Sequence, residues 1–225
     1  MNIPMLKLFN KPWSECVVTT IDFETTGLRP GIDRVVQAGL ARFEKGVCVA
    51  SVGSLIDGAP IPAEATAIHG ITDEMVADAP TLTTFFEGED VRALLENAQP
   101  AAFNAPFDRQ FIPPWALPDY TWPWLDVLSL VRVVDRFERG KGRHKLTASC
   151  ERHGIELTNA HSAEADAVAA GQLFYKLAHQ MANAERGPGT LGKLLHWMQT
   201  QEANEWERFH SWLACQPPLQ DEAQS

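Results

Sequence analysis

Asp22 and Glu24 stand one residue apart at the end of the apolar run CVVTTIDF. In an extended strand residues i and i+2 share a face, so the two carboxylates point the same way at the strand's C-terminal end. At about 4 Å apart they repel by on the order of 4 kcal/mol at an effective dielectric near 20, so a positive partner is expected between them. An arginine would serve, and Mg²⁺ or Mn²⁺, which suit oxygen-only ligands, would serve better. The bland alternative is a solvated edge strand whose acids face water. Thr25, Thr26 and Gly27 follow. Two hydroxyls and a tightly turning backbone could together hold a substrate end close to the acids. A third acid, Asp166, extends the apolar stripe Ala170, Leu173, Leu177 and Met181 of a long helical pattern by one turn. A carboxylate on a buried helix face must be paired, hydrogen-bonded or bound to metal, because burying it bare costs on the order of several kcal/mol.

Elements are needed to carry these residues. Cys16 to Phe23 reads as a strand with Val17, Thr19, Ile21 and Phe23 on one face and Val18, Thr20 and Asp22 on the other. Val35 to Phe43 and Val47 to Ile56 flank the turn Glu44-Lys45-Gly46 and read as a hairpin, so three antiparallel strands open the chain. Helices are expected after an N-cap at Thr72, over Leu82 to Asn97, from about Ala105 after a short strand, over Leu125 to Phe137, over Leu146 to His153 closed by Gly154, and over Ala163 to Ala182. The break ERGPGT divides an expected domain, residues 1–186, from a helical extension, residues 187–225, whose end from Pro217 is expected to fray. Leu194, Trp197, Met198, Trp206 and Trp212 of that extension either dock on the domain or serve a partner or self-association.

Composition narrows the function classes. A chain of 225 residues with 45% hydrophobic residues suits one good-sized domain and a tail. Its net charge of −10 argues against coating long nucleic acid, which needs clustered Lys and Arg. One local exception is RVVDRFERGKGRHKL, Arg132 to Leu146, which is either a solvated loop or a grip on a phosphate backbone. Cys16, Cys48, Cys150 and Cys215 show no CxxC spacing, which points to reduced thiols and a cytoplasmic setting. No apolar run is long enough to cross a bilayer, so the chain is expected to be soluble, with no membrane partner.

DFETTG, FNAPFDRQF and HSAEAD, in that order, resemble the three exonuclease motifs of the DEDD superfamily in its histidine subgroup, which includes the proofreading subunit of bacterial DNA polymerase III. IHGIT, Ile68 to Thr72, is similar to a further segment of that family, and the likeness spans about Val17 to Leu177. The resemblance implies an α/β, ribonuclease H-like fold: a mixed central sheet flanked by helices. It implies Asp22, Glu24, Asp108 and Asp166 as ligands for two Mg²⁺ ions, with Mn²⁺ able to substitute, and His161 as general base. Within that scheme Asp22 is the candidate bridging ligand, Glu24 and Asp166 share one ion, and Asp108 binds the other directly or through water. Two ions so held can stabilise the attacking and the leaving oxygen of a phosphodiester displacement.

The activity implied is 3′-5′ exonucleolysis releasing nucleoside 5′-monophosphates. Single-stranded DNA is the preferred substrate, RNA trimming the alternative, and a non-catalytic end-binding or polymerase-binding module the rival from another class. Residues five apart on a helix lie about 140° apart, so His161 and Asp166 converge only if His161 precedes the first full turn. His69 either faces the terminal nucleotide or serves its turn, and Asn104 either binds substrate or bridges backbone. Asp126 either orients a neighbour of the site or caps the next helix. The chain departs from the family at Phe103, where a histidine often stands, and the tail from about Gly187 matches no family segment.

Overall fold

The computed structural model describes residues 8–117, 123–138, 140–158, 160–183 and 188–214. Among these residues five strands form one sheet: β1 (Val17–Thr25), β2 (Val35–Glu44), β3 (Val47–Leu55), β4 (Gln99–Ala102) and β5 (Leu125–Asp126), in the order β3-β2-β1-β4-β5. β1, β2 and β3 pair antiparallel, as their hairpin spacing predicts, while β4 and β5 join β1 in parallel. The helices are α1 (Ala63–His69), α2 (Asp73–Val76), α3 (Leu82–Glu87), α4 (Glu89–Leu95), α5 (Ala105–Asp108), α6 (Val127–Val134), α7 (Leu146–Arg152), α8 (Ala163–Asn183) and α9 (Leu191–Ala214). This is the mixed, helix-flanked sheet expected.

The alternation of β1 divides the core in two. Val18 belongs to one apolar cluster with Phe43, Leu173, Phe174 and Leu177, on the α8 side. Ile21 and Phe23 belong to the other, with Phe85, Phe86 and Leu94 on the α3 and α4 side. Thr19 and Thr20 are fully buried between them. Each hydroxyl donates to a helix carbonyl, Thr19 to Leu94 and Thr20 to Ala167. Both helical layers are therefore tied to the strand that carries Asp22. Arg42 tightens the α4 layer, because its Nη1 donates to the carbonyls of Ala93, Leu94 and Glu96 at the helix's C-terminal end.

Glycine decides where α8 begins. Gly39 lies opposite Asp22 on one side and Gly53 on the other, so two residues without side chains form a shelf across the sheet. A Cβ on Gly39 would lie 2.1 Å from the Ala163 carbonyl carbon, and one on Gly53 would lie 2.8 Å from the Glu164 Cβ. Gln37 Oε1 accepts from the Ala163 N–H at 2.9 Å, and Ser51 Oγ donates to Glu164 Oε1 at 2.6 Å, which fixes the helix start on the shelf. Gly39→Ala is expected to destabilise the fold by about 2 kcal/mol or more, since the clash is with backbone. Urea unfolding checks this, and a variant within about 0.5 kcal/mol of wild type would contradict the shelf.

Several expectations shift. The segment expected as one helix over Leu82 to Asn97 breaks at Gly88, whose N–H returns to the Phe85 carbonyl. Leu125 and Asp126 pair with Ala101 and Ala102 as a strand, and the helix starts only at Val127. Helix α1 was not expected. Thr72 stands at the N-cap of α2 without a side-chain bond to it.

The first turns of α9 dock on the domain, one of the two roles open to this extension. Leu191, Leu194, Leu195 and Met198 are buried in the cluster that holds Trp13 and Leu177, with Trp197 packed against it. The side chains of Trp206 and Trp212, and residues 215–225, lie outside the described residues.

Candidate active site

The C-terminal end of β1 gathers acids from three segments. Asp22 and Glu24 stand on the α8 face of the strand, partly open to solvent. The pairing slips one residue after Glu24, and this bulge ends the strand and turns the chain into Thr26-Gly27. Asp108 closes the short helix α5 and is buried, 4% exposed, its Oδ1 accepting from the Phe23 N–H at 3.2 Å. Asp166 lies in the first turn of α8, 9% exposed; Oδ2 accepts from the His161 N–H at 3.3 Å, while among the described residues the buried Oδ1 has no partner. His161 precedes the helix in a left-handed conformation, φ 71°, as the five-residue spacing requires. One ligand atom each from Glu24, His161 and Asp166 lies within 4.8 Å of the others.

Electrostatics show how incomplete this cluster is by itself. The Asp22 carboxyl is held well above the usual carboxylate range by burial and then by the charges of Asp108, Asp166 and Glu24. Glu24 is pushed up to about 7 by burial and by Asp166. Asp108 is pushed up to about 8, chiefly by burial, against the stabilising bond from Phe23. Asp166 is raised by burial despite the His161 N–H and the His161 charge. Among the described residues no Lys or Arg pairs with any of the four. The arginine alternative therefore finds no support, and the donor set, carboxylate oxygens plus one imidazole with a buried oxygen left over, fits divalent cations.

Supporting residues surround the acids. Asp126 Oδ1 accepts from the Ala105 N–H at 3.0 Å, and its Oδ2 accepts from the Ser129 N–H at 3.0 Å and the Ser129 hydroxyl at 2.6 Å. It caps α6 and also holds the start of α5, the helix that presents Asp108, so both readings of this residue apply. His69 ends α1, with Nδ1 accepting from the Ile71 N–H at 3.0 Å. Its Nε2 is buried and, among the described residues, has no hydrogen-bond partner; burial holds the ring's pKa below its ordinary value, against an interaction with the Thr25 backbone, and the charge of His161 adds to the lowering. Thr25 donates to the Gly27 carbonyl at 2.7 Å, and Thr26 Oγ1 accepts from the Arg34 N–H at 2.9 Å. Both hydroxyls thus shape the turn. Asn104 stands at the N-cap of α5 with an exposed side chain that caps nothing. Phe103 packs against the first core cluster, and its carbonyl accepts from Leu128.

Sequence reasoning missed Gln37, Gly39 and Gly53. None carries a motif, and their part depends on strand register.

Comparison with known proteins agrees with this geometry. The RNase_T family, described as Exonuclease, matches residues 19–174. A DNA polymerase III subunit epsilon-like protein of Rhodobacter capsulatus is 36% identical over 199 residues, covering 84% of this chain and 27% of that protein. A DNA polymerase III PolC-type of Thermotoga petrophila is 24% identical over 213 residues, covering 92% of this chain and 15% of that protein. The chain thus spans about a quarter or less of the length of these curated relatives. Among solved structures, exonuclease X in complex with 5′ overhanging duplex DNA has a TM-score of 0.59 at 22% identity, covering 80% of this chain and 99% of that one. Escherichia coli exonuclease I with a dT13 oligonucleotide has a TM-score of 0.60 at 21% identity, covering 76% and 42%. These two likenesses show the fold.

Proposed function

The chain belongs to the exonuclease family matched over residues 19–174, a family of divalent-metal-dependent hydrolytic nucleases, and from that premise we propose that it removes nucleotides singly from the 3′ end of single-stranded DNA. The observation that carries the proposal is the convergence of Asp22, Glu24, Asp108 and Asp166 on one strand end, where among the described residues no Lys or Arg pairs with them and a buried Asp166 oxygen has no partner. Two divalent ions held by these acids, Mg²⁺ or Mn²⁺, would supply charge to polarise the scissile phosphate and acidify the attacking water. His161, beside Glu24 and Asp166, takes the proton from that water. Asp166 keeps His161 at the helix lead-in through the backbone N–H. Water adds at phosphorus and the P–O3′ bond breaks, so the released nucleotide carries the 5′-phosphate and the shortened strand a 3′-hydroxyl. Asn104 and His69 flank the place where the terminal nucleotide would sit, and the turn built by Thr25 and Thr26 supports it.

DNA is favoured by the names of the relatives, DNA polymerase III subunits, and by neighbours solved with DNA. A 3′-exonuclease solved in 3′-end-specific recognition of a histone mRNA stem-loop keeps RNA as the competing polymer. The same names support a place beside a DNA polymerase. We assign that contact to the C-terminal helix and propose residues 187–225 as an extension of the exonuclease domain, tested by copurification with and without residues 188–225. Among the described residues no helix is long and apolar enough to cross a membrane, and Cys16, Cys48 and Cys150 are free thiols, which suits the cytoplasm.

The polymer and direction are tested with matched 5′-labelled DNA and RNA oligonucleotides in Mg²⁺. A descending ladder on DNA is expected, with RNA degraded at least about tenfold more slowly, a difference of about 1.4 kcal/mol in barrier. Release of the labelled 5′ nucleotide first would overturn the direction, and a faster RNA ladder would overturn the polymer.

A further inference from the structure

The connection between α6 and α7 is strongly basic within an acidic chain. Arg132 to Lys145 holds six Lys and Arg against two acids, while the whole chain holds 19 against 29. Both acids are engaged inside the loop's own scaffold. Asp135 Oδ2 accepts from Arg152 Nε at 2.8 Å and Nη2 at 2.6 Å, and Oδ1 lies 3.0 Å from His153 Nε2. Arg143 Nη2 lies 2.6 Å from Glu138 Oε2. Arg152 Nη2 also donates to the Arg143 carbonyl at 3.1 Å, and His144 Nε2 lies 3.3 Å from the Asp135 carbonyl. The loop is braced from within, so its cations stand on a pre-organised surface.

What that surface shows to solvent is chemically specific. Lys141, Arg143 and Lys145 are exposed, and among the described residues Lys141 and Lys145 make no ion pair. Phe137 is 79% exposed, with the Arg136 guanidinium 4.7 Å from its ring centroid. An exposed aromatic ring among cations is the chemistry that holds single-stranded nucleic acid, the ring's open face stacking on a base and the cations meeting phosphates. The loop leads into α7, which packs against α8, the helix that carries Asp166. Lys145 stands at the N-cap position of α7, without a side-chain bond to the helix, and Cys150 in that helix feels the charge of Asp166. Lys145 and Cys150 are five positions apart, about 7.5 Å along the helix axis.

We propose that this loop is a second nucleic-acid contact, a platform that grips the single-stranded body of the polynucleotide whose 3′ end the acids receive. Phe137 stacks on a base, and Lys141, Arg143 and Lys145 hold phosphates. The proposal rests on the exonuclease reading only for where the strand ends.

The test is fluorescence anisotropy of a labelled 20-nucleotide oligothymidylate with the full chain in EDTA, comparing wild type with K141Q/K145Q, F137A and F137W. The double variant and F137A are expected to bind about tenfold more weakly, and F137W like wild type. The double variant should also flatten the slope of log affinity against log salt by about 1.4. Hydrolysis of a thymidine dinucleotide in Mg²⁺, which occupies the acid site alone, should be unchanged in all three variants. Equal binding by all the proteins, no binding by wild type, or an equal loss on dinucleotide and 20-mer would overturn the platform. Absence of hydrolysis by wild type in both Mg²⁺ and Mn²⁺ overturns the nuclease reading instead, and the binding series still judges the loop.

Discussion

Asp166→Asn is expected to lower turnover at a 3′ end by about three orders of magnitude, close to 4 kcal/mol of barrier, while raising the melting temperature of the metal-free protein. The two effects come from one group. Asparagine can still accept the His161 N–H, so the approach to α8 keeps its shape. It removes one of four mutually repelling carboxylates, a charge that burial already disfavours. What it cannot supply is the anionic oxygen left unpartnered beside Glu24 and His161. A residue needed only for folding would behave oppositely, losing stability and activity together. Asp22→Asn should give the same pair of effects, since Asp22 feels all three other acids. Initial rates on a 5′-labelled oligonucleotide and melting in EDTA check both. A variant that kept near-normal turnover would remove Asp166 or Asp22 from the site.

Metal-free protein is expected to lose stability as pH rises from about 5 to 8, by about 10 °C in melting temperature, or roughly 3 kcal/mol for a chain of this size. The sign follows from the acids. Glu24 at about 7 and Asp108 at about 8 lie above their unfolded values near 4. Between those limits the native state binds more protons than the unfolded state, so raising the pH favours unfolding. His69, lowered chiefly by burial, works in the other direction, but only below its ordinary value of about 6.5. The interval from about 6.5 to 8 therefore reports the acids. Divalent cations should reverse the loss, and the stabilisation by Mg²⁺ should be larger at pH 8 than at pH 5, because only ionised carboxylates bind it. Scanning fluorimetry in EDTA and in Mg²⁺ across this range is the check. Melting independent of both pH and metal would show that the four acids do not share one unneutralised site.

How much of this was legible beforehand varies by residue and for physical reasons. The two-residue period of β1 was enough to put Asp22 and Glu24 on one face, and the apolar stripe of α8 was enough to mark Asp166 as an acid on a buried side. The position of His161 before the helix followed from the angle between residues five apart. The shelf beneath α8 was not readable, because Gly39 and Gly53 acquire their part only when β2 and β3 align them beside Asp22. Gln37 likewise became a helix cap through register with Glu24. The two residues of β5 read as helix because Leu125 continues the apolar pattern of α6, and only pairing with β4 makes them a strand. Asp126 showed its capping role from its place before a helix, while its hold on α5 required the fold.

The central claim is that Asp22, Glu24, Asp108 and Asp166 together form a divalent-metal site. Titration of the full chain with Mn²⁺ at pH 8, followed by electron paramagnetic resonance of the free ion, tests it without relying on catalysis. Two ions bound per chain by wild type, with at least one lost in Asp22→Asn, is the predicted result. Unchanged Mn²⁺ binding in that variant, or none by wild type, would contradict the account.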